Sequence, residues 1–214
     1  MLFVIEHLEP EISRWLYIEY SYASRIVGRR RLIFTNVKNP RDAKVLSKFG
    51  SVRSKSFAEI FHPKKIVILD PKASEKLKPE DLRDKEAIII GGILGDHPPR
   101  GRTRKFVTAK VPNALSRNIG RGQFSIDGAI YIAKLVSEGV RLENIPVRKG
   151  LHIRLNEKVE IYLPYLYPLK NGKLLISDEL IHYLASEEIV KDEEKLLRES
   201  SSSQKQNQAL ADYF

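Results

Sequence analysis

The chain contains no cysteine, so neither a disulfide nor a thiolate metal site can belong to its chemistry. Its five histidines, at 7, 62, 97, 152 and 182, show no ligand spacing, and no metal is implied. Long apolar runs are missing too. The first one, Leu2 to Ile5, is followed at once by Glu6, so neither a signal peptide nor a membrane span is expected, and the protein is read as cytoplasmic. No Gly-x-x-x-x-Gly-Lys-Ser/Thr string occurs, which argues against a Walker-type phosphate loop. Gly120-Arg121-Gly122 opens like a dinucleotide fingerprint, but its sixth position is Ser125 rather than glycine. A single methionine beside abundant Lys, Arg and Glu suits a heat-adapted proteome.

What is present is a 214-residue chain, 42% hydrophobic and 30% charged, with no polar linker before about residue 186. That is enough for one core, and one domain is expected over 1–186. Beyond it the composition turns charged and then polar, with Ser200 to Ser203 and three glutamines, so 187–214 is read as a flexible tail. Lys and Arg number 37 against 27 Asp and Glu, a net charge of +10 that favours polyanionic partners such as RNA or a ribosome.

The stretch Glu86 to Arg104, EAIIIGGILGDHPPRGRTR, organises the rest. Ala87 to Ile90 reads as a buried strand that stops at Gly91-Gly92. Gly91, Gly92 and Gly95 let the backbone approach a ligand, Asp96 and His97 add polar groups, and Pro98-Pro99 stiffen the exit. Arg100, Arg102 and Arg104 follow on alternate residues, and in an extended loop they would face the same way as substrate contacts.

Elsewhere strands and helices alternate. LFVIEH is a strand, and a helix starting near Pro10-Glu11 runs to Gly28. LIFTNV, KKIVILDP and FVTAKV read as further strands, with a helix from Asn39-Pro40 to Gly50 and another from Ile126 to a stop at Gly139. Near-continuous aliphatic strands between helices predict an α/β fold, a mostly parallel sheet flanked by helices. From Pro146 the texture changes, and 146–176 is read as a small β-rich appendage with Asn171-Gly172 as a hairpin turn, followed by a short helix from Asp178 to Ala185. In open α/β sheets a ligand sits outside the carboxyl ends of the strands, which makes 91–96 and 116–127 the walls of a pocket. Glycines that only make tight turns are the alternative.

GGILGDHPPRGRT, with LSRNIGRGQFSIDGA downstream and IEH, EISRW and IEY near the start, resembles a branch of the SPOUT class of S-adenosylmethionine-dependent methyltransferases found in archaea and eukaryotes, over about residues 1–186. The resemblance implies a C-terminal trefoil knot with the cofactor bent inside it. Carried over by position, it implies cofactor contacts from Leu69, Asp70 and Pro71, from Gly91, Gly92, Ile93, Leu94 and Gly95, from Ser116, Arg117, Asn118, Ile119 and Gly120, and from Gln123, Phe124 and Ser125. Asp127 stands where the class usually has Glu.

The implied reaction is displacement of a methyl group by a nitrogen, which asks for alignment and a destination for a proton. Asp96, at the strand end, is the first candidate base, with Glu6 and Glu19 also within reach of the mouth. The acceptor implied is an RNA base or an arginine of a ribosomal protein. A non-catalytic RNA-binding or ribosome-assembly factor keeping the fold is the alternative. A monomer is expected rather than a homodimer. The last eight residues resemble a sliding-clamp-binding peptide, with Leu210, Tyr213 and Phe214 as its apolar triad and Asn207 where Gln is usual.

Overall fold

The computed structural model describes residues 1–95, 100–154 and 160–186. The expected tail 187–214, with Leu210, Tyr213 and Phe214, lies outside them. The chain divides into two compact units, Met1–Leu151 with Tyr162–Ser177 and His152–Ile161 with Asp178–Phe214.

In the first unit, β1 (Leu2–His7), β2 (Leu32–Thr35), β3 (Ser51–Val52), β4 (Ile66–Leu69), β5 (Ala87–Gly92) and β6 (Leu115–Arg117) form one sheet in the order β3-β2-β1-β5-β4-β6. Every pairing in it is parallel. The pleat sorts the side chains onto two faces. Phe3, Ile5, Phe34, Val67 and Ile88 enter one core cluster, and Val4, Ile66, Ile68 and Ile89 enter a second with Phe57, Val107 and Val111. Because both faces are covered, the strands read as unbroken aliphatic runs instead of alternating ones.

α1 (Arg14–Val27) and α5 (Ile126–Ser137) pack together on the first face, through residues such as Leu16, Tyr20, Ile130 and Ala133. Full burial of an aliphatic side chain the size of Leu16 or Ile130 contributes about 1.5–3 kcal/mol. α1 begins four residues after Pro10 because Ser13 supplies the cap, its Oγ accepting from Leu16 N at 3.2 Å. Gly28, at φ +83°, closes it with its N–H donating to Ser24 O. α2 (Pro40–Leu46) starts after an Asn39 cap, and α3 (Phe57–Ile60) after a Ser56–Glu59 capping box.

The FVTAKV segment is not a strand. Residues Arg102–Phe106 form a helix, α4, and Thr108–Lys110 a 3-10 turn. Val107 and Val111 are buried four residues apart, a spacing that satisfies helical and strand periods alike. Downstream, β7 (Val147–Arg154), β8 (Glu160–Lys170) and β9 (Lys173–Leu174) form a second sheet in that order. Asn171 and Gly172, at φ 51° and 75°, turn β8 into β9 as the dipeptide predicts. α6 (Asp178–Leu184) lies in the second unit. Among the described residues no helix is long and apolar enough to cross a membrane.

Candidate active site

Three strand ends make the site. β4 stops at Leu69, and the next residue, Asp70, is only 1% exposed. Its Oδ1 accepts from Lys72 N at 2.8 Å, and its Oδ2 accepts from Arg104 Nε and Thr108 Oγ1, both at 2.9 Å. One carboxylate thus fastens its own turn to α4 and to the turn after it. β6 runs into Asn118, whose Nδ2 donates to the carbonyls of Ala73 and Glu75 while its Oδ1 accepts from Gly120 N at 3.1 Å. The Asn118 backbone joins the same segment, its N–H donating to Glu75 O and its carbonyl accepting from Leu77 N. β5 ends in Gly91-Gly92.

Between these ends lies a cleft with about 940 Å³ of empty space, part of it open to solvent. The sequence-predicted Leu69, Asp70, Pro71, Gly91, Ile93, Leu94, Gly95, Ile119, Gly120, Gln123, Phe124 and Ser125 all line it. Gly92, Ser116, Arg117 and Asn118 do not. Successive strand residues face opposite sides, so Gly91 borders the cleft while a Cβ on Gly92 would sit 2.5 Å from Tyr20 Oη and 2.8 Å from Ile5. Ser116 lies in β6 opposite Ile68, Arg117 is bound through Nε and Nη2 to the two oxygens of Asp81 at 3.0 and 3.1 Å, and Asn118 clasps the segment from Ala73 to Leu77.

The basic edge is differently built from its expectation. Arg100, Arg102 and Arg104 also line the cleft, and α4 replaces the extended loop that would have aligned them. Arg102 Nη1 pairs with Glu9 Oε1 at 3.1 Å and its Nη2 donates to Leu94 O. Arg104 is committed to Asp70 and to Lys72 O. Two of the three expected substrate contacts therefore serve as struts of the cleft wall.

Of the carboxylate candidates, Asp96 lies outside the described residues. Glu6 is fully buried away from the cleft. It accepts from Thr35 Oγ1, Ser56 Oγ, Phe57 N and Lys110 Nζ at 2.6–3.0 Å, so all its capacity holds β2, α3 and the turn after α4 together. Glu19 is at the site. It lines a smaller hollow with Trp15 and Tyr165, about 240 Å³ of empty space including part open to solvent, and that hollow shares Ile93, Leu94, Gly95, Phe124, Ser125 and Ile126 with the main cleft. Glu19 Oε1 accepts from Trp15 Nε1 at 2.7 Å and Oε2 from Ile126 N at 3.0 Å.

Burial pushes the Glu19 carboxyl up to about 8, and the Asp127 charge adds to the rise, against the hydrogen bonds from Trp15 and Ile126. Burial also raises Asp127, to about 6, opposed by bonds from Ser125 and Gly128. Among the described residues no cation pairs with either of these two buried carboxyls, and such a site favours an incoming positive charge.

Sequence reasoning missed Glu9, which accepts from both Leu94 N and Arg102, and Tyr165, whose hydroxyl donates to Gly95 O at 3.0 Å. Glu9 sits two residues past β1, where the rule that chemistry collects at strand ends could have found it. Nothing local marks Tyr165 within YLPYLYPL.

The family model described as "Protein arginine N-methyltransferase SFM1-like" matches residues 2–191. Protein arginine N-methyltransferase SFM1 of Saccharomyces cerevisiae is 29% identical over 197 residues, covering 85% of this chain and 92% of that protein. The crystal structure of the yeast arginine methyltransferase SFM1 complexed with SAM is 30% identical with a TM-score of 0.79, covering 87% of this chain and 90% of that chain. The same enzyme complexed with SAH gives an equal TM-score over 86% of this chain and 94% of that one. The dual specific Trm10 from Thermococcus kodakaraensis, 20% identical with a TM-score of 0.54 over 66% of this chain and 95% of that chain, shares the fold.

Proposed function

The chain belongs to the SFM1-like protein arginine N-methyltransferase family, within the SPOUT class, and from that premise we propose that it methylates a guanidinium nitrogen of an arginine in a protein of the translation apparatus. S-adenosylmethionine is the cofactor, and the cleft fits it. Leu69, Ile93, Leu94, Ile119 and Phe124 offer apolar walls for an adenine, and the glycines at 91, 95 and 120 leave backbone within reach of its edge. A Cβ built on Gly91 has its nearest contacts at Ile93 Cδ1, 3.4 Å, Thr103 Oγ1, 3.5 Å, and Ile93 Cγ1, 3.7 Å, all ordinary van der Waals distances, so a side chain there would fit the wall and take up space a ligand needs.

One observation carries the acceptor assignment: Glu19, a carboxylate 4% exposed in an apolar hollow that opens off the cofactor cleft. A guanidinium entering the hollow supplies the countercharge that Glu19 lacks, and the planar fork of an arginine suits a carboxylate. Trp15 and Ile126 fix both carboxylate oxygens, so Glu19 can orient the guanidinium without reorganising. When bound, the cofactor supplies an electrophilic methyl group, and the electrons of its breaking carbon–sulfur bond stay on sulfur. The acceptor nitrogen gives up one proton as its new bond to carbon forms, and Glu19, with its raised proton affinity, is placed to take it.

The C-terminal trefoil knot that the resemblance implies belongs to the same proposal. Supporting it are the four hydrogen bonds by which the segment from Ala73 to Leu77 grips Asn118, and the parallel bridge between Lys76 and Asn118. A translation-apparatus substrate suits the net charge of +10.

The test is incubation with methyl-labelled S-adenosylmethionine and either ribosomal proteins or total RNA. Label on arginine of a protein supports the assignment, and label confined to RNA overturns it. Absence of cofactor binding by calorimetry up to millimolar concentration would leave a non-catalytic factor with this fold.

A further inference from the structure

Residues 28–55 hold nine of the chain's 37 Lys and Arg residues and one of its 27 Asp and Glu residues, so this stretch carries +8 of the net +10. Its one acid, Asp42, is 8% exposed, whereas eight of the nine cations are exposed. The stretch builds β2, α2 and β3, which form one outer edge of the six-stranded sheet.

The cations gather there. Arg41, Lys44 and Lys48 fall at i, i+3 and i+7 along α2 and the turn that follows, a spacing that puts them on one face. Arg29 reaches this end by donating from Nη2 to Ser47 O at 2.7 Å. The segments carrying Lys38 and Arg53 are bonded to each other beyond β2, where Val37 N donates to Arg53 O and Lys38 Nζ to Ser54 O. These bonds go to carbonyls and neutralise nothing. Among the described residues none of the nine cations is paired with a carboxylate.

A field of one sign costs the fold self-repulsion, and among the described residues no carboxylate pairs with these cations to offset it. Two kinds of partner could. An acidic protein surface needs an apolar centre opposite it, because binding energy concentrates in buried aromatic and aliphatic anchors. Among the described residues the exposed large apolar ones are Met1, Ile60, Phe106, Val147 and Tyr162, and none lies in 28–55. A phosphate backbone needs cations only. We propose that this edge binds the phosphodiester backbone of RNA, as a docking surface separate from the catalytic cleft. The choice of RNA over DNA rests on the proposed translation-apparatus substrate.

The position suits that role. Adjacent strands lie about 4.8 Å apart, so the edge at β2 and β3 is roughly 10–15 Å across the sheet from β5 and its cleft. Lys38 and Asn39 line a hollow with His7, Glu9 and Asp42, and Glu9 in turn holds Leu94 and Arg102 of the cleft wall. RNA on the edge would bring attached protein to the mouth of the site.

Fluorescence anisotropy of the full chain with a labelled single-stranded RNA of about 20 nucleotides tests this across a salt series. Binding is expected with a Kd of about 1–100 µM at 0.15 M salt. Arg41→Glu with Lys44→Glu and Lys48→Glu should weaken it at least tenfold and reduce the slope of log K against log salt by about 2, since each lost contact to a single strand removes about 0.7. Lys64→Glu with Arg83→Glu and Lys173→Glu, an equal charge change at exposed cations elsewhere, should shift affinity less than threefold. Equal weakening by both triple variants, or tighter binding of polyglutamate or single-stranded DNA than of RNA, overturns the proposal. So does absence of RNA binding at hundreds of micromolar, whatever the methyl-transfer assay reports.

Discussion

Replacing Glu19 by Gln keeps the shape of the side chain and removes the charge on which the proposed arginine recognition depends. Breaking one side of a buried, hydrogen-bonded charge pair costs about 2–5 kcal/mol. At about 1.4 kcal/mol per decade, kcat/KM should fall by roughly 30- to 5000-fold. Cofactor affinity should stay within threefold, because Glu19 lines the side hollow and not the main cleft.

The substitution also has a structural cost. Trp15 Nε1 and Ile126 N both donate to the carboxylate, and an amide leaves one of these donors facing an NH2 group, at about 1–3 kcal/mol. A melting curve and calorimetry with S-adenosylmethionine therefore accompany the activity assay on an arginine peptide. Glu19→Asp, which keeps the charge one methylene further back, should recover part of the rate.

The pH profile separates charge from packing. With the Glu19 carboxyl raised to about 8, kcat/KM should climb about tenfold per pH unit below 8 and level off above it, and Gln should abolish that limb. Stability should run the other way. The folded protein holds a proton that the unfolded chain releases near 4.5, so stability falls as pH rises from about 4.5 to 8, and Gln should flatten that decline. A Gln variant with kcat/KM within threefold of wild type, or one that keeps the climb below pH 8, would show that Glu19 is not the partner of the guanidinium.

Gly91→Val should fold and lose at least tenfold in cofactor affinity by calorimetry, because its Cβ finds ordinary contacts and its methyl groups fill the cleft. Gly92→Val should instead fail in a melting experiment, since its Cβ would meet Tyr20 Oη at 2.5 Å and Glu6 O at 2.9 Å. Asp70→Ala should lower stability by about 3 kcal/mol in denaturant titrations and weaken cofactor binding, because it releases Arg104, Thr108 and the turn at Lys72 together. Burial holds the His7 imidazole below its ordinary 6.5, opposed by the charges of Asp42, Glu9 and Glu6. Its contribution to stability is complete above 6.5 and should be lost as pH falls below that value, and His7→Gln should reduce that acid-side loss in melting temperature.

The parallel sheet was legible because burial on both faces leaves unbroken aliphatic runs, and those runs end where the cleft forms. Direction was harder to read. Gly91 and Gly92 look alike in sequence, yet the pleat turns one to the cleft and the other to Tyr20. Glu6 and Glu9 bracket the end of β1, and only the one beyond the last ladder pair reaches the site. The arginines after Gly101 looked free because their partners are remote: Glu9 lies 93 residues from Arg102 and Asp70 34 residues from Arg104. Glu19 was legible as a candidate, but its environment was not, because the backbone amide that fixes it comes from Ile126, 107 residues away.

The place of β1 in the sheet also sets an order of events during synthesis. β1 pairs on one side with β2, which follows it within about thirty residues, and on the other with β5, where Leu2 is opposite Ala87. At translation speeds of about 5–20 residues per second, one flank of β1 stays open for roughly 4–17 s while the chain between is made. Its apolar side chains and unpaired backbone face solvent or a chaperone throughout that interval. β1 is a six-residue strand whose last two residues are Glu6 and His7. A strand that short, with polar residues at its end, is a poor template for pairing with a neighbouring chain. The glutamate that locks β2 and α3 in the finished protein thus has an earlier use, as a guard on an unfinished sheet.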